Sequence, residues 1–212
     1  MYKYDQFINK IAEITKSFQR DYEIAEKELK KNYESQYNRR IYFIVSFTMI
    51  EAMINLMKQN ITNLYTTFSK SRPDKNTLPL HYKHFYPKLT NEELSVLNEN
   101  MPSVKNNGIV GTRPLFLPLE VNIKTTLRLY LKVINLELNI KYDDPSFKKL
   151  IDSSKVRNRI VHPKNLKSLE ISDDELKNLS QGVYWFVLLF YNISSEYRRI
   201  VDKCNAELKN NQ

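Results

Sequence analysis

Cysteine, glycine and histidine are all scarce in this chain of 212 residues, which has one Cys, three Gly and three His. The single Cys204 cannot form an intramolecular disulfide, so a disulfide-stapled secreted scaffold is excluded and a reducing, cytoplasmic setting is expected. So few glycines, together with long stretches free of proline, favour helix over sheet. Apolar residues make up 42% of the chain, enough for a core, and we expect one domain over residues 1–212.

A long uninterrupted apolar run is also lacking. The most apolar stretch, residues 41–57, is about as long as the shortest membrane spans, but Glu51 and Asn55 interrupt it and Arg39 and Arg40 precede it. This stretch is therefore expected to be a buried helix of a soluble bundle, without a membrane partner. The first thirty residues are charged throughout, so no signal peptide is expected.

Charge of one sign dominates what is present. The formal net charge is +9 and the isoelectric point is about 9.4, which favours a polyanionic partner. Nucleic acid is the first candidate for that partner, and charge that serves only solubility is the alternative.

Helical spacing of apolar side chains accounts for most of the chain. It predicts a long amphipathic first helix over residues 3–36 and a second helix over 38–69 that is apolar nearly all round in its first half. Three further helices are predicted over 119–138, 145–162 and 173–208. The expected fold is all-α, with about five helices around one core.

The stretch from Lys155 to Pro163 carries the clearest functional signal. If residues 145–162 form one helix, Arg157 falls in the middle of an inward-facing arc, and Asn158 and His162 lie along its edge. The other members of this arc are Phe147, Leu150, Ser154 and Val161. Because burying a charge is costly unless it is paired, the three polar groups favour a function over a simple helix cap.

The ends of this helix are marked by local signals. Asp144 is expected to be its N-cap, with Pro145 at the first helical position. Pro163 biases His162 away from the α region, so the helix should end there and leave the imidazole at its mouth. On the outer side, Lys155 and Arg159 form a separate cationic stripe that we interpret as a contact for RNA.

Glu51 lies on the second helix in a polar line with Thr48 and Asn55, inside an otherwise apolar surface. A buried carboxylate requires a cation or hydrogen-bond donors, and Arg157 is the obvious candidate. The alternative, a Glu51 that simply reaches the surface, stays open from the sequence.

Residues 71–117 break the helical pattern with repeated prolines and are expected to form an irregular basic insertion. One short helix is predicted within it, because Thr90 to Glu93 forms a capping box. Basic and aromatic side chains alternate before it, as expected of a contact with single-stranded RNA, at Lys83, His84, Tyr86 and Lys88. His81 lies three residues before His84 without Cys or acidic neighbours, so neither a metal site nor another cofactor is expected.

The motif residues resemble a known family. Arg157 to His162 matches the R-x4-6-H signature of the HEPN superfamily, and the flanks from Asp144 to Phe147 and at Pro163 are similar to its members. The segment Phe47 to Ile54, with Glu51 interrupting an apolar run, also resembles the second helix of many members. Motif, helix order and acidic helix together cover most of residues 38–208.

The resemblance implies a helical bundle that dimerises and brings two motifs together across the interface. Many members are metal-independent endoribonucleases that act as toxins of toxin–antitoxin pairs or in antiviral defence, which implies an antitoxin or defence-system partner. By matching position, Arg157 and His162 would be catalytic and Asn158 the supporting polar residue. Because some members are not nucleases, a non-catalytic module that binds nucleic acid or a nucleotide is the alternative.

The chemistry of these residue types agrees with cleavage of RNA. A metal-free reaction must deprotonate the ribose 2′-hydroxyl, protonate the 5′-oxygen and stabilise charge on the phosphate, leaving a 2′,3′-cyclic phosphate and a 5′-hydroxyl. An imidazole can transfer the protons, and a guanidinium can hold the phosphoryl oxygens. One His162 cannot easily serve both sides of the phosphorus atom, so a homodimer is expected.

Overall fold

The computed structural model describes residues 3–71, 89–104, 106 and 109–210, and three quarters of the structure is helix. The all-α class is therefore confirmed, with two short strands in addition. The α-helices are α1 (Lys3–Lys31), α2 (Gln36–Ser71), α3 (Asn91–Leu97), α4 (Leu119–Val133), α5 (Pro145–Val161) and α6 (Asp173–Asn210). The strands are β1 (Asn100–Val104) and β2 (Val110–Pro114), and a 3₁₀ helix spans Leu166–Leu169.

The chain divides into two compact units. Unit 1 comprises Met1–Met53 and Asn139–Asn192, and unit 2 comprises Ile54–Leu138 and Ile193–Gln212. Helices α2 and α6 each contribute their first half to unit 1 and their second half to unit 2.

Local capping signals set the helix boundaries where the sequence predicts them. The Asp144 carboxylate accepts a hydrogen bond of 2.7 Å from the backbone N–H of Ser146, and Pro145 occupies the first position of α5. Ser172 and Glu175 form a capping box at the start of α6, and Thr90 and Glu93 form another at α3. Helix α5 ends at Val161 because His162, before Pro163, has non-helical backbone angles.

The core of unit 1 is built from the first halves of α2 and α6 together with α5. Helices α5 and α6 approach closely at Gly182, where a Cβ atom would lie only 2.7 Å from the Cα of Leu150, so glycine is required at this crossing. The buried core side chains include Phe43, Phe47, Ile50, Phe147, Leu150, Leu179, Val183 and Phe186. Each such side chain contributes roughly 1.5–3 kcal/mol through burial.

The inward face of α5 differs from the predicted arc. Ser153 and Ile160 are buried, whereas Ser154 is only half-buried and Val161 is 42% exposed. After Leu150, the buried positions are 153 and 160, each one residue before the predicted positions 154 and 161. The buried face of α5 is therefore shifted by one residue. A buried stripe runs obliquely where helices cross in close contact, as α5 and α6 do at Gly182.

Unit 2 contains a β-hairpin where the sequence predicts irregular structure. Strands β1 and β2 pair antiparallel, from Asn100 opposite Pro114 to Val104 opposite Val110. The sequence conceals this hairpin because β2 is largely exposed, so it lacks the apolar alternation of a half-buried strand.

Helix α4 ends at Val133, five residues before the predicted end at Leu138. The reason lies at Asn135, whose φ of 51° is in the left-handed region and terminates the helix. The backbone N–H of Leu136 donates a hydrogen bond to the carbonyl of Leu131, one of the last carbonyls of the helix.

By length and composition, the segment Gln36–Thr66 of α2 could cross a membrane. However, 61% of its most apolar window is buried inside the protein, as is usual for the core helix of a soluble protein. Among the residues that the structure describes, no other helix passes the same test.

Candidate functional site

Arg157, on the last turn of α5, meets Glu51 of α2 within unit 1. Its Nη2 atom lies 3.2 Å from both carboxylate oxygens of Glu51, and its Nη1 donates a 3.1 Å hydrogen bond to Oδ1 of Asn158. Both alternatives that the sequence left for Glu51 therefore hold in part, because its carboxylate pairs with Arg157 and its side chain is also 44% exposed. Helix α2 supplies a carboxylate at this point because Glu51 interrupts its otherwise apolar surface.

The ion pair is more open to solvent than the sequence predicts. The Arg157 side chain is 31% exposed and that of Glu51 is 44% exposed, so Arg157 lies at the edge of the buried face of α5. The two terminal nitrogens of Arg157 each carry two N–H groups, and one bond at each leaves donors available for a bound anion. A phosphate could therefore approach this guanidinium without first breaking the pair with Glu51.

His162 and Asn158 lie on the exposed surface and not along an inward-facing arc. The backbone N–H of His162 donates to the carbonyl of Asn158 over 3.0 Å, so His162 is the C-cap of α5. Its imidazole makes no hydrogen bond with any residue of the described ranges. Both side chains are exposed because α5 ends at Val161 and the following loop, through Lys167, is itself exposed. An imidazole in this position can exchange protons with solvent or with a substrate.

The two cations predicted to form an outer stripe have different environments. The Lys155 side chain is 77% exposed and pairs with Asp152, so it can reach a partner in solution. Arg159 is half-buried: its Nη2 donates to the carbonyl of Glu170 over 2.7 Å and to Glu175 over 3.1 Å. Its Nε is buried without a hydrogen-bond partner among the described residues. Arg159 is thus tied to the start of α6, while 39% of its side chain stays exposed; an RNA contact there remains a prediction.

The predicted RNA contacts of the insertion, at Lys83, His84, Tyr86 and Lys88, lie outside the described residues, as does His81. Within the ranges that the structure describes, no three His, Cys, Asp or Glu side chains are grouped as ligands of a metal ion would be.

The sequence analysis missed another paired arginine of unit 1, Arg39. Its Nε donates to the carbonyl of Tyr33, its Nη1 to the carbonyl of Ile171, and its Nη2 pairs with Asp173 at 2.8 Å and with Glu34 at 3.5 Å. The guanidinium also lies over the ring of Tyr33. Arg39 therefore joins the turn before α2 to the start of α6. No local signal identifies it, because Ile171 and Asp173 are more than 130 residues away.

An apolar stripe on α6 was also missed. Tyr184, Val187, Leu188 and Tyr191 follow helical spacing on one face, yet all four are exposed, the two tyrosines by about two thirds. Their spacing is visible in the sequence, but it is the same as that of a core face. Only the structure shows that the described residues of the chain leave this face of unit 1 uncovered.

Comparison of the chain with protein-family models, curated proteins and solved structures finds no match.

Proposed function

We propose that this protein is a metal-independent endoribonuclease of the HEPN type that acts as a homodimer, in a toxin–antitoxin or antiviral defence role. One observation carries the proposal. Arg157 is half-exposed and is held by Glu51 and Asn158 at the end of α5, where the exposed His162 caps the same helix.

Each residue of this cluster has a role in the proposed reaction. Glu51 and Asn158 fix the guanidinium of Arg157, which holds the scissile phosphate and stabilises the charge of the transition state. His162 exchanges a proton with the ribose 2′-hydroxyl or with the leaving 5′-oxygen. Lys155 and the basic residues of the insertion would bind the RNA backbone on either side.

The homodimer follows from the number of imidazoles. One His162 per chain can serve one side of the phosphorus atom, so two chains are needed for an acid and a base. The exposed stripe of Tyr184, Val187, Leu188 and Tyr191 supports an association, because contiguous exposed apolar side chains mark interaction surfaces. We propose that this stripe contributes to the dimer interface.

The alternative is a non-catalytic HEPN-like module that binds nucleic acid or a nucleotide and regulates another protein. It is favoured by the isolation of the His162 imidazole, which no described residue of its own chain orients. A binding module requires only the cationic surface of Arg157 and Lys155, whereas a general base is normally held in place by a neighbour.

The decisive experiment incubates the purified protein with RNA in excess EDTA and identifies the ends of the fragments. Cleavage that persists and leaves 2′,3′-cyclic phosphate and 5′-hydroxyl ends supports the nuclease. Cleavage that EDTA abolishes contradicts the mechanism. RNA binding without any cleavage supports the regulatory module.

A mixing experiment tests whether two chains share one site. His162→Ala chains retain Arg157, and Arg157→Ala chains retain His162, so a mixed dimer has one intact residue of each kind. Partial recovery of cleavage on mixing two inactive variants would show that both chains act on one phosphate. A mixed dimer has one imidazole instead of two, so recovery should stay well below the wild-type rate, and recovery to that rate would contradict the need for two imidazoles.

A further inference from the structure

A polar cleft of about 370 Å³ lies within unit 2. One wall is a polar stripe of the second half of α2, and the other is the end of α3 with the turn that follows it. The lining residues are Asn55, Lys58, Gln59, Thr62, Asn63, Leu97, Asn98 and Glu99. Its volume lies at the lower end of the roughly 300–1,000 Å³ typical of small-molecule sites.

Four amide side chains of the cleft lack internal partners. Asn55, Gln59, Asn63 and Asn98 make no side-chain hydrogen bond with any residue in the part of the chain that the structure describes. Each amide offers two N–H donors and one carbonyl acceptor. The cleft therefore has an unused capacity for paired donor and acceptor contacts, whereas Leu97 is its single apolar lining residue.

The cleft also contains one buried cation. The ammonium of Lys58 lies 2.7 Å from Glu99, and the Lys58 side chain is 6% exposed while that of Glu99 is 51% exposed. The φ of Glu99 is 52°, the left-handed conformation in which helices commonly end, and Glu99 directly follows the C-cap of α3. This backbone is fixed, because its N–H donates to Val96 and its carbonyl accepts from Leu115. If the half-exposed Glu99 carboxylate turns toward solvent, the buried ammonium of Lys58 can bind another anion in its place.

We propose that this cleft binds a nucleotide, with the edge of the base on the amides and the phosphate in place of the Glu99 carboxylate at Lys58. The donor and acceptor of an Asn or Gln side chain match the edge of a base, above all adenine, in a bidentate pair. A peptide fits less well, because a single buried apolar side chain, Leu97, offers no pocket for an apolar anchor. The proposal does not depend on catalysis by His162.

The test measures binding of adenosine and of adenosine 5′-monophosphate by NMR titration of the full-length protein. In the wild-type protein, the nucleotide should bind more tightly than the nucleoside and should shift the amide signals of Asn55, Gln59 and Asn63. Glu99→Gln removes the competing carboxylate and should raise the affinity for the nucleotide by about tenfold without changing that for the nucleoside.

Two further variants separate the phosphate from the base. Lys58→Met keeps an apolar stem of similar length and should reduce the affinity for the nucleotide to that for the nucleoside. Asn63→Leu should weaken both ligands. The matched control is Lys132→Gln, which removes a cation paired with Glu93 elsewhere in unit 2 and should change neither affinity.

Three results would overturn the proposal: no shift of the cleft signals at millimolar nucleotide, equal affinity in Glu99→Gln and wild-type protein, or shifts produced equally by an unstructured peptide. A short single-stranded adenosine oligonucleotide identifies the source of the nucleotide. Tighter binding of the oligonucleotide than of the monomer, lost in Lys58→Met, assigns the cleft to an RNA residue, whereas weaker binding assigns it to a free nucleotide. All of these experiments measure ligand binding. They therefore remain valid if the protein has no ribonuclease activity.

Discussion

Arg39 and Arg157 are two arginines of unit 1 that pair with carboxylates in different ways. The Arg39 side chain is 5% exposed, and all three nitrogens of its guanidinium have partners. Two nitrogens donate to backbone carbonyls and the third pairs with Asp173. Arg157 is 31% exposed, and its partners are two side chains that leave part of the guanidinium open to solvent. The first guanidinium is fully used within the chain, and the second is not.

On the proposed function, the difference separates a cation that stabilises the fold from one that is open to a phosphate. A buried cation bonded at every nitrogen stabilises the elements that it joins but cannot bind a further anion without breaking those bonds. A half-exposed cation oriented by Glu51 and Asn158 has fewer bonds to lose and a prepared geometry for a phosphate. If this comparison is correct, substitution of Arg39 should affect stability and substitution of Arg157 should affect activity.

The largest expected effect is on cleavage of RNA. His162→Ala removes the proposed proton-transfer group and should slow cleavage by about 10²–10⁴-fold. Arg157→Ala removes the proposed charge stabiliser, with an expected loss on the order of 10²–10³-fold. Rates are measured with each variant at saturating RNA, together with its free energy of unfolding from urea denaturation.

The control for these two variants is Lys155→Ala, which removes an exposed cation of the same helix. It should weaken RNA binding at low salt and leave the rate at saturating RNA within about threefold of the wild type. An Arg157→Ala protein that cleaves at the wild-type rate, or that is inactive only because it is unfolded, would remove the functional half of the comparison.

Arg39→Ala should have the next largest effect, on stability. The substitution leaves the carbonyls of Tyr33 and Ile171 without this donor and removes the ion pair with Asp173 at the start of α6, at a cost of roughly 2–4 kcal/mol. Urea denaturation measures the loss. Arg40→Ala is the matched control, because Arg40 makes one hydrogen bond, of 3.2 Å to the carbonyl of Leu169, and should cost about 1 kcal/mol or less. Equal losses for the two variants would contradict the structural role of Arg39.

How far the sequence predicts this molecule depends on the range of the interactions involved. Asp144 with Pro145, and Thr90 with Glu93, act within one helical turn, so the starts of α5 and α3 are readable from the sequence. The pairing of β1 with β2 depends on contacts between two strands of which β2 is largely exposed, and it was missed. The end of α4 was misplaced because the left-handed backbone of Asn135 is only one of the conformations open to asparagine.

The candidate site also combines features set by local spacing, which the sequence predicts, with features set by contacts between distant segments, which it does not. Helical spacing brings Arg157, Asn158 and His162 to one end of α5, which the sequence predicts. Which side of that helix is buried depends on its crossing with α6, so the predicted inward arc was displaced, and Asn158 and His162 proved to be exposed. The ion pair with Glu51 was one of two alternatives, because a separation of 106 residues gives no local signal for a contact.

A smaller effect, on dimerisation, is expected from substitutions in the apolar stripe of α6. It tests the proposal that Arg157 belongs to a site shared by two chains. Leu188→Glu places a charge among Tyr184, Val187 and Tyr191 and should raise the dissociation constant of the dimer by about 10–100-fold. Sedimentation equilibrium measures that constant, and cleavage should fall in proportion to the dimer. Lys177→Glu, an exposed substitution earlier on α6, is the control. A dimer unaffected by Leu188→Glu would place the interface elsewhere.

The smallest expected effect concerns the ion pair itself. Glu51→Gln keeps the size of the side chain and an acceptor for Arg157 but removes the charge. Because both partners are substantially exposed, the free energy of unfolding should fall by only about 0–1 kcal/mol. Glu120→Gln, in the comparably exposed pair with Lys124, is the matched control in the same denaturation experiment. If Glu51→Gln costs more than about 2 kcal/mol while the control does not, the pair is buried in the assembled protein. Arg157 would then resemble Arg39, and its guanidinium would no longer be open to a phosphate.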